Sequence, residues 1–600
     1  MKNELRDRRS AIMAVVLPCS AAVAAVGGGL AAPPPAQAAV FRVGSDGACT
    51  HSTVQGALDA AKANGVGLDV IAIANNQSYG SSQLAILSHA VHLIGGFSSC
   101  AAYPGPNTKT TLDGAGTGVG VMLIAGTVGF HEVILEDLTI RGAAGPAIDG
   151  GGIQITGSFA VTLRNTSVTG NSGFRGGGIL IDGFGGATLS LEAGSAVTSN
   201  SASDDGGGIY CWRGGSVVLE PGTAVSLNTA EGDGGGVYLD DCDLVSHAGG
   251  LFQGIVGNEA FFGGGIYAHE RSQVWLVAEA TTGGAEAPAT VSGNEARTGG
   301  GVYLRGPGTA MVARNASVTG NVALFDGGGL QVENYASLAM ERTLGADCHD
   351  AVRCSRSSGN TAGLHGGALS LHLATATIRQ TFIEDNDAGL GSVAYFGHSS
   401  AVGTHLLLDG TVITGNDGFN DLIVPHGFSE LDMRFVTVAD NDLSSGAAVI
   451  RATADSIDLY SSIVRESTGV VLGSLPPFGT TVVVDCLVAH ESSSVLSADP
   501  DARAVAVFDP LFVSPATGDY HLSAASNAVD YCDDAFTGAG SPDIEGQARG
   551  VNDPAASDNL PGGWFDAGAD ERSSGPSVFG LVFYDGFESG GTAAWSSTVP

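Results

Sequence analysis

Four side chains near the middle of the chain are of the types that cleave sugar polymers. Asp240 and Glu333 could hold or take a proton, His269 titrates near neutrality, and Arg305 could neutralise an acidic substrate. They share one offset, each lying four residues past the third glycine of a Gly-Gly-Gly run. Thr156, Asp182, Trp212 and His372 occupy the same offset in other copies, and Asp241, Glu270 and Arg271 lie beside the four. If each copy is one turn of a stack, Asp240 and Glu333 are three turns apart, about 14 Å at the usual strand spacing. That exceeds the ~6.5–9.5 Å of an inverting carboxylate pair. The expected reading is a solvated ladder of opposite charges, Asp240 with His269 and Arg305 with Glu333, and no catalytic set is assembled.

Two residues past the third glycine the chain places Tyr210, Tyr238, Tyr267 and Tyr303, with Trp212 beside them. In-register rings would stack, and facing solvent they would form a flat aromatic track able to hold a sugar chain or a partner surface. The acid pairs Asp204-Asp205 and Asp533-Asp534 suit turns. His89, His92, His131, His398 and His405 lack metal-ligand spacing, and neither a CxxC nor a Gly-Gly-x-Gly-x-Asp nonapeptide occurs, so no metal or cofactor is expected.

The elements that must position these residues are set by the repeat. Third glycines fall at 152, 178, 208, 236, 265, 301 and 329, with degenerate copies around 368 and 448. One residue past them stand Ile153, Ile179, Ile209, Val237, Ile266, Val302, Leu330 and Leu369; three past stand Ile155, Ile181, Cys211, Leu239, Ala268, Leu304, Val332 and Leu371. This period-2 alternation sends the first and third positions inward and the second and fourth outward. Between 208 and 236 the segments 209–212, 216–219 and 224–227 read as three strands parted by Gly- or Pro-containing turns. Three strands in so short a unit bury nothing alone, but stacked copies pair turn on turn. The fold class expected is all-β, a single-stranded right-handed parallel β-helix of roughly 16 coils. Asn171, Asn200, Asn228, Asn258, Asn294, Asn321, Asn360 and Asn441 each precede a copy by 7 or 8 residues, and are expected to supply a left-handed bend.

Residues 52–63 form an amphipathic helix, capped by Ser52 or Thr53, whose Val54, Ala57, Leu58 and Ala61 would cover the open N-terminal end. Residues 1–38 read as a signal peptide: Lys2, Arg6, Arg8 and Arg9, then an apolar stretch, then Ala36-Gln37-Ala38. The remaining divisions are a cap with first coils over 39–113, the β-helix over 114–530, a closing segment over 531–572, and a linker with a candidate sorting tail over 573–600. Eight cysteines follow the signal, an even number suited to an oxidising compartment. Proximity pairs Cys49 with Cys100, Cys348 with Cys354 and Cys486 with Cys532, leaving Cys211 with Cys242.

The 600 residues include 92 glycines, 25 Lys+Arg and 61 Asp+Glu, a net charge of −36. Phosphates would be repelled, so nucleic acid is excluded as a partner. Hydrophobic content of 44% excludes a disordered acidic chain. No run after the signal is long and apolar enough for a membrane-spanning helix. Nothing points to an oligomer, and a monomer is expected.

The helix followed by 69–74 and Tyr79 resembles the start of pectin-lyase-like right-handed β-helix proteins. The units Asn258-Glu259-Ala260…Gly263-Gly264-Gly265-Ile266-Tyr267 and Asn294-Glu295-Ala296…Gly299-Gly300-Gly301-Val302-Tyr303 are similar to the repeats of chlamydial polymorphic outer-membrane proteins. The 70 residues after 530 are too few for the autotransporter barrel of that family. Residues 543–571 resemble the closing segment of secreted bacterial β-helix proteins, and 584–595 resemble a short tail on exported proteins of Gram-negative bacteria. These resemblances imply a secreted protein, outer-membrane associated through its tail, with an adhesin-like role toward surface glycans or host and matrix proteins. The alternative they imply is an extracellular polysaccharide lyase or glycoside hydrolase acting on an acidic or plant-type polysaccharide.

Overall fold

Strands formed by β-branched and aliphatic residues stack turn on turn into an all-β parallel solenoid of about 15 turns, of right-handed type, with three sheets and very little helix. The computed structural model describes residues 38–572 except 66, 81, 106–107, 127–128, 251, 279–286, 343–354, 399–402, 419, 452–453, 455, 474–480, 490–504, 533–541 and 555–563. Residues 1–37 of the expected signal peptide, the expected tail over 573–600, the expected Cys348–Cys354 pair and Asp533-Asp534 lie outside the described residues.

Register follows the repeat. One sheet of 14 strands runs from Leu84–Leu87 to Val470–Leu472. In it Ile153, Ile179, Ile209, Val237, Ile266, Val302, Leu330 and Leu369 are successive partners. All eight are at most 1% exposed, so the inward column is one continuous core. A second large sheet carries two segments per turn, such as Ser216–Leu219 and Ala224–Ser226. A third sheet adds a short strand such as Thr229–Ala230. The lap therefore has four segments rather than the three expected, because the residues after each Asn pair as well.

The asparagines act differently from the expectation. None has positive φ; the left-handed residue is the one before it, as at Gly170, Ser199, Leu227, Gly257 and Gly293. The Asn side chains point inward and form a ladder. Asn258 Nδ2 donates to Val225 O at 3.0 Å and to Asn294 Oδ1 at 2.9 Å, while its Oδ1 accepts from Asn228 N and Nδ2, both at 3.0 Å. The same pattern runs from Asn171 to Asn441 and includes Asn386 and Asn416, which the spacing rule missed. Each amide donates one N–H to the next amide toward the C-terminal end and the other to a carbonyl of the preceding turn, and the column finishes on the carboxyl of Glu466, whose Oε1 accepts from Asn441 Nδ2 at 2.7 Å. The third glycine makes room for this column, since a Cβ on Gly236 would come within 2.9 Å of Asn258 Nδ2.

The N-terminal helix spans Val54–Asn64 with Thr53 as its cap, and buries Val54, Ala57, Leu58 and Ala61 as expected. It does not precede the first strand: Val40–Val43 comes earlier and pairs in parallel with Asp69–Ala74. At the other end the parallel pairing stops with Val505–Val507, short of residue 530. The hairpin Phe512–Ser514 with Asp519–Leu522 is antiparallel. Together with the closing segment it folds back along the flank, because successive turns leave an outward apolar column there. Phe382, Val412, Ile463 and Val488 pack against Phe512, Tyr520, Leu522, Ile544 and Ala567. Thr437 Oγ1 accepts from Ala569 N at 2.9 Å. Three disulfides match the expected pairs: Cys49–Cys100, Cys211–Cys242 and Cys486–Cys532. The last ties the folded-back segment to the solenoid. Among the described residues no helix is long and apolar enough to cross a membrane.

Candidate functional site

The fourth-position residues stand on one ladder of the 14-stranded sheet, where Trp212 pairs with Asp240, Asp240 with His269, and Arg305 with Glu333. Their partners are mostly the tyrosines one turn below. The Tyr238 hydroxyl lies 2.9 Å from His269 Nε2, the Tyr303 hydroxyl donates to Glu333 Oε2 at 2.7 Å, and Arg305 donates to the Tyr267 hydroxyl. A tyrosyl ring is long enough to reach two positions along and one turn up. The Asp240–His269 neighbours lie 3.9 Å apart. The Arg305–Glu333 pair is replaced, since Glu333 takes its hydrogen bonds from Tyr303 and from Gln331.

The tyrosines do stack. Centroids are 4.7 Å apart for Tyr210–Tyr238, 5.3 Å for Tyr238–Tyr267 and 5.2 Å for Tyr267–Tyr303, with planes within 18°. They are not the exposed track expected, however, being only 4–8% exposed. They point away from the core, yet a further column folds over them. The residue just before each glycine triplet forms its own column: Asp149, Arg175, Asp205, Asp233, Phe262, Thr298, Asp326 and His365, and from Arg175 onward each accepts through its carbonyl from the glycine one turn below. The triplet bends so tightly that this column closes on the rings; a Cβ on Gly234, at φ 69°, would meet Tyr238 Cβ at 2.8 Å. Phe262 accordingly sits 5.3 Å from the Tyr303 ring, and the Arg175 guanidinium 5.3 Å from Tyr210. Trp212 is half-buried and has the Arg213 guanidinium 3.8 Å over its ring.

Burial governs the electrostatics. It pushes the Tyr267 hydroxyl up to about 12 and raises Tyr238 and Tyr303 as well. It lowers His269, against the pull of the Asp240 carboxylate. At the two ends of the new column polar partners meet, the Arg175 guanidinium with the Asp149 carboxylate at 2.9 Å and His365 Nδ1 with Asp326 Oδ1 at 2.7 Å. In its middle two carboxyls are neighbours, and Asp205 Oδ1 accepts the Asp233 N–H at 2.8 Å. Burial, then the Asp205 charge, pushes Asp233 up to about 7, and burial raises Asp205 too. Burial thus favours the protonated form of both acids, whose charge acts on Tyr238 and Tyr267. Asp205 keeps the turn role expected of it, but Asp233 and Arg175 went unrecognised. Their signal was present as a constant offset, one residue before the triplet.

Metal-ligand groupings among the described residues lie elsewhere: Asp46 with Cys49 and Cys100, whose sulfurs form a disulfide, and His521 with Glu545 and Asp570. No protein-family model matches this chain, and no curated protein matches it.

Proposed function

We propose that this chain is an exported β-helix rod of the pectin-lyase-like kind that acts by adhesion, toward surface glycans or matrix proteins, and not by catalysis. The observation carrying this reading is that the polar groups of the central stripe are already engaged with one another. His269, Arg305 and Glu333 are each held by a tyrosine, and the rings between them are covered. A catalytic set needs groups directed at a substrate in reacting geometry; a saturated in-sheet network instead builds a stiff surface. Three disulfides and the cationic, then apolar, N-terminal stretch support export. The polymorphic outer-membrane-type repeats and the tail over 573–600 support surface association.

A second reading, an extracellular polysaccharide lyase or hydrolase, is favoured by one feature, the neighbouring acids Asp205 and Asp233, of which Asp233 is pushed up to about 7, mainly by burial. Carboxyls tuned in this way mark acid–base sites. A glycan and matrix-protein array, run beside a reducing-sugar and unsaturated-product screen on polyuronates, separates the two. Adhesion predicts retention on the array, weakened by Trp212→Ala, with no turnover. Turnover abolished by Asp233→Asn or Asp240→Ala would replace the adhesin reading by the enzymatic one. Fractionating cells and medium with and without residues 573–600 tests the surface anchor.

A further inference from the structure

Where the folded-back segment meets the hairpin, three ligand-type side chains from distant parts of the chain converge. His521 lies on the strand Asp519–Leu522, Glu545 in the turn after Asp543, and Asp570 near the end of the closing segment. One ligand atom of each lies within 4.8 Å of the other two. We propose that these residues form a divalent transition-metal site, with Zn²⁺ as the best-matched ion.

The imidazole is presented as a ligand. Asp519 Oδ1 lies 2.7 Å from His521 Nδ1, which leaves Nε2 facing the cluster, 3.2 Å from Glu545 Oε1. A carboxylate holding the far ring nitrogen is the usual support of a metal-bound histidine, fixing its tautomer and raising its basicity.

Asp570 supplies an independent observation. Its side chain is only 6% exposed. One carboxylate oxygen accepts the Leu522 N–H at 3.0 Å. The other has no hydrogen-bond partner, and no Lys, Arg or His nitrogen lies within 4 Å of either, among the described residues. A buried carboxylate in that condition is costly. His521 and Arg549 act on Asp570 only through space, and neither forms an ion pair with it. A dication among His521 Nε2, Glu545 and Asp570 serves all of them.

Donor chemistry selects the ion. One imidazole with two carboxylates suits Zn²⁺ and its neighbours, whereas Ca²⁺ and Mg²⁺ prefer sites built of oxygen alone. His521 and Glu545 are part-exposed at 30% and 21%, so water can complete the coordination. The ion would bind hairpin to closing segment, independently of the adhesin reading.

The test is calorimetric titration of the full, chelator-treated chain with ZnCl₂, with CaCl₂ and MgCl₂ run in parallel. The expected result is one saturable Zn²⁺ site per chain, lost in Asp570→Asn and in His521→Gln. Asp519→Asn should weaken it by roughly 10- to 100-fold. Unchanged far-UV circular dichroism and an intact Cys486–Cys532 bond show that each variant remains folded, and should His521→Gln unfold, the near-isosteric Asp570→Asn decides. Absence of saturable binding, Zn²⁺ affinity unchanged in both variants, or Ca²⁺ and Mg²⁺ bound as tightly as Zn²⁺ would each overturn the site. The last two results would assign the metal to diffuse attraction by an acidic surface.

Discussion

Replacing Asn258 by glycine separates the two roles an asparagine could have at this recurring position. A residue needed for a left-handed bend would be replaced by glycine without loss. A residue needed for the interior ladder would not. Asn258 is 1% exposed and its side chain makes four hydrogen bonds. Two partners survive its removal: Asn294 Oδ1 keeps the Asn258 N–H at 2.9 Å, and Asn228 Nδ2 keeps Val197 O at 3.0 Å. Two backbone groups do not, the Val225 carbonyl and the Asn228 N–H. Each buried group left unmatched costs about 1–3 kcal/mol, so Asn258→Ala and Asn258→Gly should both destabilise the central turns by about 3–4 kcal/mol. Asn258→Asp keeps the acceptor and loses the donor, setting a carboxylate against Val225 O and Asn294 Oδ1. It should be worse than Ala at pH 8 and recover as the pH falls, because a protonated acid can donate once. Urea unfolding with slope and midpoint fitted separately gives the energies, and native-state amide exchange at Asn228 locates them, since a solenoid can open turn by turn. If Asn258→Gly stays within about 0.5 kcal/mol of the parent, the size of an ordinary surface change, the ladder account is wrong.

Glu466 ends that ladder, and burial pushes it up to about 7. A folded-state value above the unfolded one makes its contribution complete below about pH 4.5 and lost as pH rises through 7, on the order of 3 kcal/mol in all. Melting from pH 5 to 9 should show the last turns loosening with rising pH in the parent and much less so in Glu466→Gln, where an amide oxygen still meets Asn441. Tyr303→Phe removes the 2.7 Å bond to Glu333, which keeps Gln331 at 3.0 Å; a loss of about 1.5 kcal/mol is expected, the low end for a charged acceptor, read from the urea midpoint. Converting Cys211 and Cys242 together to alanine opens a link across a separation of 31 residues. The chain-entropy model gives a loss of about 3.5 kcal/mol, and a thermal midpoint unmoved by the double variant would count against it.

What the amino-acid order determined by itself is the periodic part. The alternation of Ile209, Tyr210, Cys211 and Trp212, repeated at Val237, Tyr238, Leu239 and Asp240, fixes which side chains enter the core and which partner each meets one turn up. A pleated strand allows two faces, and a one-residue slip would bury the wrong set. The capping stripe Val54, Ala57, Leu58 and Ala61 was legible for the same local reason. Period alone could not say what covers an outward face. The burial of Tyr238 depends on Asp233 and Phe262 being swung over it by the glycine bend, and the Asn258 side chain turned inward because a three-dimensional column of amides was there to receive it. Likewise, only the packing of the hairpin and the described parts of the closing segment onto Phe382, Val412, Ile463 and Val488 brought His521, Glu545 and Asp570 together. Neighbours along a strand are set by short-range geometry, whereas contacts across tens of residues are set by which surfaces the finished solenoid leaves apolar or uncompensated in charge.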